Sequence, residues 1–318
     1  MPRKIAKSHV KTHSRAAARA MAGSPVKVAP PTVSGRWILG AVAGVVAAAA
    51  MCVWLVLCLL FWQGSWQLLY HPSAIVAKTP ASVSLAFDPI GFAATGDGIP
   101  QLSGWWVPAA ADSHYRRYTV LYLHGQDGNL GDTIPALARL HEAGVNVFAF
   151  DYRGYGQSKF ARPSEARWLE DAGWALEYLT GTRHIDPDTI VAYGNGLGAN
   201  LALEFAAGHR ELAGVAADSP LNDALTPIFG DARAELVPAH LLVRDRYDLK
   251  AAANRLRIPA LWIETDSPEA HHGYNDEPAA YREITSHKSL VWLNPATNAD
   301  QDRAAAFARW LDDLAPSH

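Results

Sequence analysis

Cysteine is nearly absent from this 318-residue chain. Its two cysteines, Cys52 and Cys58, both fall inside one apolar run, so no disulfide can staple the remainder. An oxidising compartment permits that arrangement without requiring it. No Asn-x-Ser/Thr acceptor occurs anywhere, which leans towards a bacterial periplasm over a glycosylating lumen for an exported body. Acidic residues are missing from the first 36 positions, which carry eight Lys/Arg: Arg3, Lys4, Lys7, Lys11, Arg15, Arg19, Lys27 and Arg36. Only 20 of the 28 basic residues then remain to face all 31 acidic ones, so a basic tail precedes an acidic body. The sign of the body argues against nucleic acid as partner, because phosphate contacts need clustered Lys/Arg there.

Charge is missing again from Trp37 to Trp62, 26 residues whose only polar side chains are the two cysteines. At 1.5 Å per residue such a helix exceeds the roughly 30 Å hydrocarbon core of a bilayer. A cleavable signal peptide would have a shorter apolar region followed by a small-x-small site, and Gln63-Gly64-Ser65-Trp66-Gln67 offers none. The run is therefore expected to be an uncleaved single-pass anchor over 37–62, with Trp37, Trp54, Trp62 and Trp66 among its interfacial aromatics. Basic flanks stay cytoplasmic, which places residues 1–36 inside as a disordered tail and the body outside, in the periplasm of a bacterial cell. Gly40-x-x-x-Gly44 has the spacing of a helix-pairing face, although an Ala/Gly-rich anchor produces it readily by chance.

Beyond the anchor, short apolar strands alternate with amphipathic helices. Ala81–Asp88 and Gln101–Val107 read as an antiparallel edge. Strands follow at Thr119–His124, Asn146–Asp151, Ile190–Tyr193, Gly214–Ala217, Ala260–Glu264 and Ser289–Leu293. Helices lie between or after them at Thr133–Ala143, Ser164–Leu179, from the turn after Tyr193 to Gly208, at Glu277–Ile284 and at Asp300–Leu314. This pattern specifies an α/β fold, a mostly parallel sheet of about eight strands with helices on both faces. One long departure, 221–257, is where a small cap or lid would be inserted into a body spanning 69–318.

The stretch Thr189–Gly208, TIVAYGNGLGANLALEFAAG, joins a strand to a helix through Gly194-Asn195-Gly196-Leu197-Gly198. Upstream lie Leu123-His124-Gly125-Gln126-Asp127-Gly128-Asn129 and Asp151-Tyr152-Arg153-Gly154-Tyr155-Gly156; downstream lie Asp218-Ser219-Pro220 and Leu242–Asp248. In these segments the chain resembles the α/β-hydrolase superfamily, most closely its membrane-anchored, single-pass serine hydrolases. The resemblance implies a nucleophile elbow of pattern G-x-S-x-G, in which strand, sharp turn and helix lift a serine above the sheet. Here Gly196 occupies the serine position. It also implies an oxyanion-holding pair of backbone N–H groups, which by position belong to Gln126 and Leu197.

The other triad members are missing too. Thr297-Asn298 stand where the family places Gly-His after the last strand, and Asn298 cannot take up and return a proton near neutral pH. Glu264-Thr265-Asp266-Ser267-Pro268-Glu269 replaces the turn that carries the acid, leaving Asp266 or Glu269 as remnants. Three separated losses share one explanation, that the chemistry was given up and the scaffold kept. No catalytic residue, cofactor or metal is then expected. The expected partners are the bilayer through 37–62, a small carboxylate or acyl ligand and an envelope protein. The alternative is an unconventional hydrolase, working through Ser219 or through a metal held by Glu264, Asp266, Glu269, His271, His272 and Asp276. His124 reads as structural, and Arg153 as anchored by Asp151 or Asp218.

Overall fold

The computed structural model describes residues 34–93, 96–265, 277–294 and 299–314. The chain divides into two compact units between Trp54 and Leu55. Within the first, the described element is the opening part of α1 (Gly35–Gly64), a proline-free run with no side chain that competes for its backbone hydrogen bonds. This helix is long and apolar enough to cross a membrane by length and composition, and its side chains are exposed almost throughout.

The second unit starts with the last turns of α1, which tighten into a 3₁₀ turn at Ser65–Leu68. No slack linker follows, since Phe61, Leu69 and Tyr70 are buried in one apolar cluster. In chain order come β1 (His71–Pro72), β2 (Asp88–Phe92), β3 (Leu102–Val107), β4 (Thr119–Leu123), β5 (Asp127–Gly128), α2 (Ile134–Glu142), β6 (Asn146–Asp151) and α3 (Glu165–Glu177). Then follow β7 (Ile190–Asn195), α4 (Leu197–Gly208), β8 (Gly214–Asp218), α5 (Thr226–Phe229), α6 (Ala239–Leu242), α7 (Leu249–Arg255), β9 (Ala260–Thr265), α8 (Ala279–Glu283), β10 (Lys288–Leu293) and α9 (Ala299–Leu314).

Eight strands form one sheet in the order β10-β9-β8-β7-β4-β6-β3-β2. It is parallel from β10 to β6, and β3 and β2 add an antiparallel edge. Parallel strands require crossovers, and helices on both faces supply them. Strand side chains accordingly alternate between two cores. Leu121, Ile190 and Ala192 share one with Trp168 of α3, Leu201 of α4 and Ala252 of α7. Val120, Tyr122, Val191 and Tyr193 share the other with Leu137 of α2 and Phe307 of α9.

The strand expected over Ala81–Asp88 is not formed. Pro80 opens a 3₁₀ turn over Pro80–Val83 that Ser84 closes in the left-handed region, φ 59°, and the edge strand starts only at Asp88. Proline's fixed φ and missing N–H suit the start of such a turn better than the middle of a strand. The helix begun at Glu165 ends in a π turn, Tyr178–Thr182. Residues 221–257 hold α5, a 3₁₀ turn at Ala232–Leu236, α6 and α7; α7 packs on α4 and α8 beside the sheet.

Candidate functional site

The elbow between β7 and α4 is built by close approach. A Cβ on Gly194 would lie well inside contact distance of the Gly198 backbone, and one on Gly198 would overlap the carbonyls of Leu123 and His124 at the end of β4. Small residues at those two places let helix and strand meet. Gly196 is different: a Cβ there would meet nothing within 4 Å. What favours glycine is the backbone, φ 58° and ψ −125°, a conformation L side chains rarely adopt. The apex is fixed by Gly196 N–H donating to the Asp218 carbonyl at 3.0 Å.

Facing the elbow is the turn after β4, where Gly125 lies close to the Asn195 carbonyl. The lead-in from α1 clamps this turn. β1 pairs with β5, His71 N–H donates to the Gln126 carbonyl at 2.9 Å, and Tyr155 Oη donates to the same oxygen at 2.8 Å. Asn129 holds the lead-in from the other side, its Nδ2 donating to the carbonyls of Ser73 and Ile75. With its carbonyl held by two donors, the Gln126 peptide is fixed in orientation. Leu197 N–H is the first of α4, where helical geometry leaves amides without an internal acceptor. Among the described residues neither the Gln126 nor the Leu197 N–H has an acceptor.

His124 is 1% exposed, and its Nδ1 lies 2.8 Å from the Gly125 carbonyl oxygen. Its Nε2 has no hydrogen-bond partner and lies 3.8 Å from Asp151 Oδ1. Burial holds the imidazole down to about 4 and pushes the Asp151 carboxyl up to about 7. The Asp151 Oδ1 accepts Leu130 N–H at 2.9 Å, tying β6 to the turn. Arg153 is anchored by neither Asp151 nor Asp218. It pairs with Asp171 at 2.5 Å and with Glu170, both on α3, and its guanidinium lies over Trp174. The helix after β6 folds back over the loop, so carboxylates 17 and 18 residues away reach it before the strand ends do.

Asp218, at the end of β8 beside the elbow, is 1% exposed and fully engaged. It accepts from Tyr193 Oη at 3.0 Å, Ser219 Oγ at 3.0 Å and Arg303 Nε at 3.0 Å. Arg303 also donates to Thr265 Oγ1 at 2.8 Å. A carboxylate so occupied cannot orient an imidazole, and its charge is matched by the guanidinium. The sequence reading overlooked Arg303, whose signal is an arginine in the opening turns of the helix that follows the expected base position. Ser219 has a left-handed φ of 52°, and its Oγ reaches Asp218 and, at 3.5 Å, Thr265 Oγ1, with no imidazole among its described partners.

Asp266, Glu269, His271, His272, Asp276 and Asn298 lie outside the described residues. Glu264 is described: it accepts Trp262 Nε1–H at 2.8 Å, and burial raises its pKa. Among the described residues no group of three or more His, Cys, Asp or Glu could hold a metal. A cavity of about 1070 Å³ opens between α5, α7, α8 and the ends of β9 and β10. Its lining includes Thr265 but none of Gly196, Gln126 and Leu197.

The family model Hydrolase_4, described as serine aminopeptidase, S33, matches residues 115–237. YfhR of Salmonella typhimurium is 35% identical over 142 residues, 44% of this chain and 46% of that protein, so the match spans less than half of YfhR. Rv2307c of Mycobacterium tuberculosis is 31% identical over 211 residues, 66% of this chain and 72% of that protein. Among solved structures, the Pyrococcus furiosus esterase Pf2001 shares the fold at a TM-score of 0.54 and 18% identity, covering 77% of this chain and 96% of that one. Sheet order, elbow and these similarities agree: the chain belongs to the same α/β-hydrolase-fold family as Rv2307c.

Proposed function

We propose that this protein is a membrane-anchored pseudo-hydrolase whose elbow binds a small carboxylate or acyl group without cleaving it. The observation that carries this reading is Gly196: the nucleophile position keeps its backbone conformation and open space but has no hydroxyl. Without a nucleophile, an acyl-enzyme cannot form. What remains is a fixed amide at Gln126, a second at the start of α4 and a neighbouring carboxylate neutralised by Arg303. Such a set favours an anion through oriented N–H dipoles. The anchor is α1, with the basic tail in the cytoplasm and the body outside, where an envelope protein could also use the body as a scaffold.

A second reading, hydrolysis through Ser219, is favoured by its strained backbone. Against it, the Oγ donates to a carboxylate already paired with Arg303. One set of measurements separates the two. The full-length protein is exposed to a fluorophosphonate probe and to p-nitrophenyl esters with and without chelator, then titrated with short-chain carboxylates while hydrogen exchange is followed at residues 124–128 and 196–200. The binding reading expects no adduct, background turnover and slowed exchange in both segments. A covalent adduct, or turnover above background, overturns it.

A further inference from the structure

We propose that the pocket at the body end of α1 binds the phosphate of an anionic phospholipid headgroup. This rests on reading α1 as a bilayer-spanning helix. The pocket holds about 280 Å³, near the lower end of the roughly 300–1,000 Å³ range of small-ligand sites, a size for a headgroup and not for a whole lipid. It is lined by Trp62 of α1 and Ser65 and Trp66 of the turn after that helix, together with Arg162, Arg167 and Arg244.

The charges there do not cancel. Arg162 donates to the Trp62 carbonyl at 2.7 Å and lies 5.7 Å from the Trp62 ring centroid, while Arg167 donates to the Arg162 carbonyl. These bonds position the guanidinium groups without neutralising them. The wall holds one carboxylate against three guanidinium groups: Asp245, whose Oδ2 accepts from Tyr70 Oη at 2.7 Å and Oδ1 from Glu165 N–H at 3.2 Å. Arg244 is exposed and has no hydrogen bond or ion pair among the described residues. Guanidinium groups bind phosphate oxygens through paired, charge-assisted hydrogen bonds.

The end of the apolar helix in the wall and exposed apolar side chains close in sequence point to a lipid as the source of that phosphate. Phe160, two residues before Arg162, is 85% exposed, and Leu241, three before Arg244, is 83% exposed. At a membrane surface such side chains enter the acyl boundary. Two tryptophans and three arginines therefore line a pocket at the point where the apolar helix ends, and exposed apolar side chains stand two and three residues before two of those arginines.

The full chain is reconstituted into vesicles of phosphatidylcholine alone or mixed with phosphatidylglycerol, and retained lipid is counted by native mass spectrometry after gentle extraction. Wild type is expected to retain phosphatidylglycerol preferentially. Arg244→Gln and Arg162→Gln should each reduce that preference about five-fold, and the double variant should abolish it. Arg244 makes no contact the fold needs, so its variant remains informative if Arg162→Gln misfolds. Equal retention of both lipids by wild type, or an unchanged preference in Arg244→Gln, overturns the proposal while leaving the anchor intact. Failure to enter either vesicle overturns it through the anchor itself. Inorganic phosphate should compete with phosphatidylglycerol; phosphate binding without any lipid preference would reassign the pocket to a soluble anion and refute the lipid assignment.

Discussion

Serine introduced at position 196 tests both the conformation of the elbow and the proposal that it carries no hydrolytic chemistry. A Cβ there meets nothing within 4 Å, so the cost expected of Gly196→Ser is backbone strain at φ 58°, ψ −125°. Holding a non-glycine residue in such a region costs about 1–3 kcal/mol. In a body of this size that lowers Tm by about 2 to 12 °C. Gly198→Ala is the contrast, because its Cβ falls inside 3.0 Å of the Leu123 and His124 carbonyl oxygens and strand and helix must part to admit it. That change should cost about 3 kcal/mol or more. The expected order of thermal stability is wild type, then Gly196→Ser, then Gly198→Ala. On the sequence reading that puts Asn298 where a base is expected, ester hydrolysis by Gly196→Ser should stay at background. Thermal denaturation and p-nitrophenyl ester turnover of the three proteins read both outcomes. If Gly196→Ser is as stable as wild type the elbow is unstrained, if Gly198→Ala is as mild as Gly196→Ser the packing argument fails, and if the serine alone restores rapid turnover a base is present after all.

Two further outcomes concern buried charge. Arg303→Met leaves Asp218, 1% exposed, without its cation, and should destabilise the body by about 3–5 kcal/mol in denaturant titrations; a loss below about 1 kcal/mol would mean that Tyr193 and Ser219 suffice. His124 and Asp151 should give opposite pH trends. The imidazole, held at about 4 against 6.5 when unfolded, contributes stability above pH 6.5 that is lost as pH falls towards 4. The carboxyl, at about 7 against 3.8, contributes stability at low pH that is lost as pH rises through 7. Acidification from pH 7 to 4 should therefore weaken Asp151→Asn and strengthen His124→Asn, measured as unfolding free energy relative to pH 7, and the same trend in both variants would refute the assignment.

The parallel core was legible because its strands are apolar on both faces and its helices keep a 3.6-residue period; Asn146–Asp151 was read to the residue. The edge was less legible. Ala81–Asp88 contains enough Val, Leu and Phe to suggest a strand, but Pro80 and the left-handed Ser84 wrap it into a turn, and local backbone geometry outweighed composition. At the candidate site, the glycine at the elbow could be read directly from the spacing of Gly194, Gly196 and Gly198. Side-chain partners could not. Arg303 meets Asp218 across 85 positions, and Arg153 finds Asp171 through a helix that folds back over its loop. No periodicity encodes a contact that depends on where two separate elements come to rest.

The continuity from Phe61 through Tyr70 has a practical consequence. Tyr70 is hydrogen-bonded to Asp245 and to Tyr247, and Phe61 is tucked into the same apolar cluster as the body. A derivative trimmed at Leu69 would uncover the apolar surface that Phe61 covers and loosen the lead-in to β1, so it should aggregate. Cutting before Phe61 instead keeps the clamp whole. The same short leash means that any displacement of the end of α1 would reach the turn at Gln126 within a few residues.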